Sequence, residues 1–235
     1  MKFPLRPRSE ARKIKNFVMD ISYLGHSSFR IKGKTAAVVT DPFSPTMVGF
    51  KFPKTEAEVV IVSHQHEDHN FVAGIANDPF IISVPGEYEV RGISFFCFPS
   101  FHDEKSKQSK GDNLISLIET DDLTICHLGD LKYTPSSKIM EEIINVDILM
   151  VPVGGIVTLG PKEATEIVNQ IDPLIVIPMH YKTEGINKEV FGDLLPVDDF
   201  LSQSGVEKIE KLDKLVITKD KLPTERKIVI LERRV

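Results

Sequence analysis

The tightest constraint on this chain lies in residues 63–70, Ser-His-Gln-His-Glu-Asp-His-Asn, which carry three of its seven histidines and an aspartate in the pattern H-x-H-x-D-H. Imidazole and carboxylate groups at that density do not belong in a hydrophobic core. They are the donors that borderline divalent cations such as zinc accept. Residues 57–62, Ala-Glu-Val-Val-Ile-Val, stand directly before them and read as a buried strand, so the cluster sits on a loop at a strand's end. The competing readings are a histidine-rich surface turn and a closed structural zinc site. Structural sites usually recruit cysteine, whereas Cys97 and Cys126 lie in separate apolar segments without C-x-x-C spacing. More candidate ligands are present than one closed tetrahedral site can use, which favours catalysis.

The pattern around the loop is that of a mixed α and β chain with many hairpins. Residues 21–24, 28–32 and 36–40 read as a meander of three strands, with Gly33-Lys34 as a tight turn in which glycine supplies a positive φ. Asp41-Pro42 ends the third strand. After the histidine loop, residues 70–76 predict a short helix, and strands follow at 80–84, 87–90, 93–98, 114–119 and 123–128, with turns at Arg91-Gly92 and Asp121-Asp122. Residues 135–144 have helical apolar spacing, 147–153 and 174–178 read as buried strands, and 162–171 as a helix entered through Gly160-Pro161. That helix start is equally an ordinary cap and a place where backbone N–H groups could hold a phosphate or carboxylate. A helix over 197–203 and strands at 214–218 and 227–231 close the chain. Without a repeat, low-complexity tract or linker, residues 20–235 are expected to be one domain behind a basic arm, residues 1–19.

Taken with His26 in Gly25-His26-Ser27, His102 in Phe101-His102-Asp103, Asp130 after Gly129 and His180 after Met179, the H-x-H-x-D-H run resembles the metallo-β-lactamase superfamily. The nearer resemblance is to its small bacterial branch of zinc-dependent hydrolases related to ascorbate-6-phosphate lactonase, and it covers about residues 20–200. It implies an α/β fold of four layers, an αββα sandwich. It also implies two divalent ions, zinc foremost with manganese as the alternative: His64, His66 and His102 on one, Asp68, His69 and His180 on the other, and Asp130 bridging. Two such ions lie about 3.5–4 Å apart and bring the pKa of a shared water toward neutrality. The implied activity is hydrolysis of an ester, lactone, amide or phosphoester of a small molecule by the metal-bridging hydroxide, with Asp130 and Asp68 positioning it. His26 would be a substrate contact or proton donor, against the alternative of a capped surface turn. In the same family an aspartate at the position of Asp41 orients the metal loop; Asp41 could otherwise only cap the turn with Pro42.

Other histidines and cations carry weaker signals. His127 falls inside a strand and is expected to be buried and hydrogen-bonded rather than a ligand. Lys182, beyond His180, is either a contact for an anionic substrate group or a solvated lysine. The net charge of −5 argues against a protein built to grip nucleic acid, although Lys2, Arg6, Arg8, Arg12, Lys13 and Lys15 crowd the arm. No long apolar span or signal-peptide pattern is present, and two reduced cysteines suit the cytoplasm. The expected partner is a small molecule, with an anionic group or without one; no membrane is involved, and self-assembly into a homo-oligomer stays open. The rival functions are a nuclease-like phosphodiesterase, a di-iron redox enzyme and a metal-binding regulator without turnover. The di-iron enzymes have glutamate where His66 stands.

Overall fold

The computed structural model describes residues 17–101 and 112–234. The basic arm as far as residue 16 and the polar loop that holds His102 lie outside the described residues. Among those described, no helix is long and apolar enough to cross a membrane.

Among the described residues, fourteen strands form two sheets. In the first sheet β1 (Met19–Gly25), β2 (Ser28–Lys32) and β3 (Ala37–Thr40) run as the antiparallel meander, and β4 (Val59–Ile61) and β5 (Phe80–Ile82) continue it in parallel. The second sheet starts with the hairpin strands β6 (Gly86–Val90), β7 (Ile93–Ser100), β8 (Asn113–Thr120) and β9 (Leu123–His127). It then turns parallel through β10 (Ile148–Pro152) and β11 (Ile175–Met179). The last strands are β12 (Ile209–Leu212), β13 (Leu215–Ile217) and β14 (Lys227–Leu231). The sheet orders are β13-β1-β2-β3-β4-β5 and β12-β14-β11-β10-β9-β8-β7-β6. The closing segment is therefore built into both sheets: β13 pairs with β1, and β14 pairs with β11.

Period-two alternation decides which side chains meet between the sheets. Val59 and Ile61 of β4, Ile148 and Met150 of β10, and Ile175 and Ile177 of β11 face one continuous core, together with Phe29 and Phe95. The intervening residues Leu149, Val151 and Val176 face outward, where α2 (Ser137–Ile143), α3 (Pro161–Ile171) and α5 (Val197–Ser204) cover them through Ile143, Ile167, Ile171 and Phe200. The outer face of the first sheet has a thinner cover: Val39, Val60 and Val62 pack under Ile75, Phe52 and Val72. Here the helix expected over residues 70–76 is instead one 3₁₀ turn, Val72–Gly74, since a segment this short closes only a single i→i+3 ring.

A second correction concerns Gly33. Its φ is not positive; a Cβ there would run into the Asp121 carboxylate, so glycine serves close approach rather than turn geometry. The Arg91-Gly92 and Asp121-Asp122 turns do have positive φ at both residues, as two-residue hairpin loops require. Two helices of four residues each went unpredicted, α1 (Pro45–Val48) and α4 (Lys188–Phe191). They pack against each other beside the strand ends, with Val48, Phe191 and Leu194 around Phe43.

Candidate metal centre

Each described candidate ligand, like Asp41, stands just past a strand, and the parallel strands bring those ends to one rim. Asp41 follows β3, His64 to His69 follow β4, Asp130 follows β9 and His180 follows β11. His26 follows β1. Backbone hydrogen bonds tie the loops across the two sheets: His180 N–H donates to His26 C=O at 2.9 Å, and Leu114 N–H to Ser63 C=O at 2.9 Å. His26, Asp41 and His180 all have left-handed backbone, with φ of 56°, 41° and 50°. Non-glycine residues adopt that region at a cost and persist there where the surroundings over-determine them.

Asp41 is fully buried and works as a hub. Its Oδ1 accepts from Ser63 N–H at 2.7 Å, and its Oδ2 accepts from Ser63 Oγ at 2.7 Å and faces His69 Nδ1 at 2.9 Å. A carboxylate can only accept, so His69 Nδ1 bears the proton and His69 Nε2 presents a lone pair. That Nε2 lies 3.3 Å from both Asp68 Oδ2 and Asp130 Oδ2, and His180 Nε2 also lies 3.3 Å from Asp130 Oδ2. None of these approaches is aligned as a hydrogen bond: His69 Nε2, His180 Nε2 and Asp130 Oδ1 have no hydrogen-bond partner among the described residues. His64 Nε2 lies 3.9 Å from Asp130 Oδ2 and 2.9 Å from His66 Nδ1.

Buried carboxylates this close together need positive charge between them, from a bound cation or, without one, from a protonated imidazole. The protonation equilibria register the same demand. Burial alone would lower the His69 pKa, yet Asp130, Asp68 and Asp41 hold it well above its ordinary value. Burial would raise the Asp130 carboxyl, but His180 and His69 hold it well below the carboxylate range. Asp68, against the same pull of burial, is held low by His69 and His26. Among the described residues, two ligand groups emerge, each with one atom per residue within 4.8 Å of the others: His26, Asp68, His69 and His180, and His64, His69 and Asp130. The donor set therefore fits one or more divalent cations. His66, the most exposed of the set, stands at the mouth, and His102 lies outside the described residues.

His26 is placed behind Asp68 rather than on the cavity wall. It is buried, its Nε2 is 3.0 Å from Asp68 Oδ2, and its ring lies 4.1 Å from that of His180. Burial, aided by His180, lowers its pKa to about 4, so it is neutral near pH 7 and Nε2–H can donate to Asp68. His127 is buried with Nε2 2.9 Å from Ser27 C=O, and its Nδ1 accepts from Gly129 N–H at 3.1 Å. It holds the turn that leads into Asp130. Lys182 Nζ donates to Gly192 C=O at 2.6 Å.

Three supporting residues escaped the sequence reading. Asn113 accepts from Asp130 N–H at 2.9 Å and donates to Leu128 C=O at 3.0 Å, fixing the loop that carries Asp130. Ser63 joins Asp41 to His64, with Oγ 3.0 Å from His64 Nδ1. Phe191 packs 4.8 Å from the His26 ring, centroid to centroid. Ser63 stands next to His64, which was the available signal, whereas Asn113 at the start of β8 offered none. Phe191 carried none, because an apolar residue in a short loop helix looks like any core residue.

The centre opens into a cavity of about 450 Å³, lined by His66, Asp68 and Asp130 together with the apolar Met47, Ile156, Val157, Val190 and Phe191. The start of α3, weighed as an anion site, is not part of this lining. Two stacked sheets that bring histidines and aspartates to one rim beside a cavity define a metallohydrolase of the β-lactamase fold. Residues 20–180 match the beta-lactamase superfamily domain, and the chain belongs to the metallo-β-lactamase superfamily. It is 29% identical to a UPF0173 metal-dependent hydrolase of Thermococcus onnurineus over 71% of this chain and 86% of the relative. A crystal structure from Thermotoga maritima, described as a candidate zinc-dependent hydrolase of the superfamily, superposes with a TM-score of 0.75 at 36% identity. That match covers 92% of this chain and all of the other. Igni18, a metallo hydrolase of Ignicoccus hospitalis, shares the fold at 19% identity and a TM-score of 0.65, over 93% and 97% of the two chains.

Proposed function

We propose that this metal-dependent hydrolase is binuclear and cleaves an ester, lactone, amide or phosphoester of a small molecule in the cytoplasm, with zinc as its first candidate metal and manganese as the second. The observation that carries the reading is the buried convergence of Asp68, His69, Asp130 and His180, in which His69 Nε2, His180 Nε2 and Asp130 Oδ1 have no hydrogen-bond partner among the described residues. Asp68, His69 and His180 would hold one ion, His64 and His66 the other, with His102 assigned there by family resemblance and Asp130 between the two. Bound ions would supply an acidified water as nucleophile and a Lewis acid for the substrate oxygen.

The chain's own residues do the rest. Asp41 fixes the His69 tautomer, and neutral His26 fixes Asp68 from behind. Asp130 stays ionised, and its Oδ1 can accept a hydrogen bond from an attacking water and so orient it. The role for His26 is thus positioning, in place of direct proton donation. Two free, buried thiols support a reducing compartment.

The test combines metal analysis of protein purified without added metal with a hydrolysis screen over lactones, esters, amides and phosphodiesters in zinc and in manganese. Two equivalents of metal and a turnover that falls about a hundredfold or more in Asp130→Asn support the proposal. Cleavage of labelled RNA that is lost in His66→Ala would replace it with a nuclease. Stoichiometric metal with no turnover across the screen would favour a regulator.

A further inference from the structure

We infer that the cavity selects an uncharged substrate whose non-reacting part is an apolar acyl or aryl group, seated on the wall formed by Met47, Ile156, Val157, Val190 and Phe191. The inference rests on the hydrolase reading above and names the substrate class of that same site. It starts from exposure: Ile156, Val157 and Val190 are 59%, 45% and 47% exposed, and all three line the cavity. Single exposed apolar residues are commonplace, but three gathered at the mouth of a metal centre form a patch of the kind that ligands cover.

The backbone of Ile156 is the second observation. Its φ is 63°, a left-handed conformation that a β-branched residue adopts only under compulsion. The loop supplies it: Gly155 N–H donates to Leu159 C=O at 3.0 Å, Thr158 N–H to Gly155 C=O at 3.2 Å, and Lys132 Nζ to Ile156 C=O at 2.6 Å. Those bonds hold an isoleucine at the mouth where glycine or asparagine would sit without strain. Strained backbone of this kind collects at ligand-binding positions.

Charge is the third. The ionisable groups that line the cavity beside His66 are Glu67, Asp68, Asp130 and Asp193, and no lysine or arginine lines it among the described residues. Among the described residues, Lys132 Nζ is turned to Ile156 C=O and Lys182 Nζ to Gly192 C=O. Glu67 and Asp193 repel an anionic substituent, which departs from the anionic substrate entertained on sequence. An apolar group gains by covering the patch, at about fourfold in affinity for each methylene buried.

The experiment uses the zinc-loaded full chain and two independent readouts. The first is kcat/KM for 4-nitrophenyl acetate, butyrate and hexanoate, beside the mono-4-nitrophenyl ester of adipic acid, which ends in a carboxylate. The second is fluorescence enhancement of N-phenyl-1-naphthylamine, an uncharged apolar probe whose binding needs no turnover. The expected result is a rise of tenfold or more from acetate to hexanoate, a drop of at least tenfold for the adipate ester, and saturable probe binding. Ile156→Asn, which suits the left-handed backbone and so keeps the fold, flattens the chain-length gradient to under twofold and weakens probe binding about tenfold. Turnover with a flat gradient, or with the adipate ester preferred, overturns the inference and leaves the hydrolase reading intact. Probe binding that Ile156→Asn weakens, with no ester cleaved, supports the apolar subsite while ester hydrolysis falls. Absence of saturable probe binding overturns the inference whatever the turnover.

Discussion

At the scale of single residues, Ile156 is where conformation and chemistry part company. A β-branched side chain in the left-handed region costs about 1–2 kcal/mol, and this one recovers little by burial because it is mostly exposed. Ile156→Asn is therefore expected to raise stability by about 1 kcal/mol in urea denaturation of the metal-free protein. An unchanged or lower midpoint would mean that the loop holds Ile156 through packing. Asp41 predicts the opposite kind of effect. Asp41→Asn keeps the acceptor for Ser63 N–H but offers His69 Nδ1 a poorer partner. Zinc affinity, measured by competition with a chromophoric chelator, should fall about 10- to 100-fold while the far-UV circular dichroism is unchanged. Residues of this scale divide by how they announce themselves. The H-x-H-x-D-H run was readable because its donors are contiguous. Asp130 and His180 required the resemblance, and Asn113 and Ser63 act through hydrogen bonds that no sequence spacing encodes.

Among elements, the hairpins were legible because turn chemistry brackets them. Asp121-Asp122 and Arg91-Gly92 mark their loops, and β14 and α3 were placed within a residue of their observed ends. The helices α1 and α4 and the strand β12 were not, since four residues show no period of either kind. They matter out of proportion to length: α1 and α4 build the cavity wall with Met47, Val190 and Phe191. The parallel strands carry the load behind the centre, and β11 delivers His180 from a run in which Ile175 and Ile177 are wholly buried. Ile177→Ala should cost about 2–5 kcal/mol by leaving a cavity between the sheets. In the same variant, metal-binding stoichiometry measured below the unfolding midpoint should be retained, since Ile177 sits away from the rim. Loss of both together would show that the strand's position and the centre cannot be separated.

For the molecule as a whole, the order of strands within each sheet was beyond reach of the sequence, because nothing local tells β13 to pair with β1 across nearly the full chain. The buried ionisable groups give the assembled fold a signature in pH. Burial raises the Cys126 and Cys97 thiols above 9.0, and burial likewise raises Tyr181 to about 12 and, with help from Tyr181, lifts Tyr23 well above 10.0. Each group holds its proton more tightly folded than unfolded. Their contribution to stability is complete below the unfolded values, near pH 9 for the thiols and 10 for the phenols, and is lost as pH rises toward the folded ones. The melting temperature of the metal-free protein should already decline above about pH 7, as the raised His69 pKa dictates, and fall more steeply above pH 9. Cys126→Ala should soften that fall, and a thiol reagent at pH 8 should modify the native protein far more slowly than the urea-unfolded chain.

The candidate ligands come from both sheets, with His64, Asp68 and His69 after a strand of one and Asp130 and His180 after strands of the other. An ion held among them is a removable crosslink between the two halves of the sandwich, placed where this chain, with two free thiols, has no covalent one. Free zinc at a hundred times its dissociation constant adds about 2.7 kcal/mol to the resistance of the native state to unfolding. The added protection should be strongest at the seam, where slowed hydrogen exchange of the Leu114 and His180 amides would record the clasp closing.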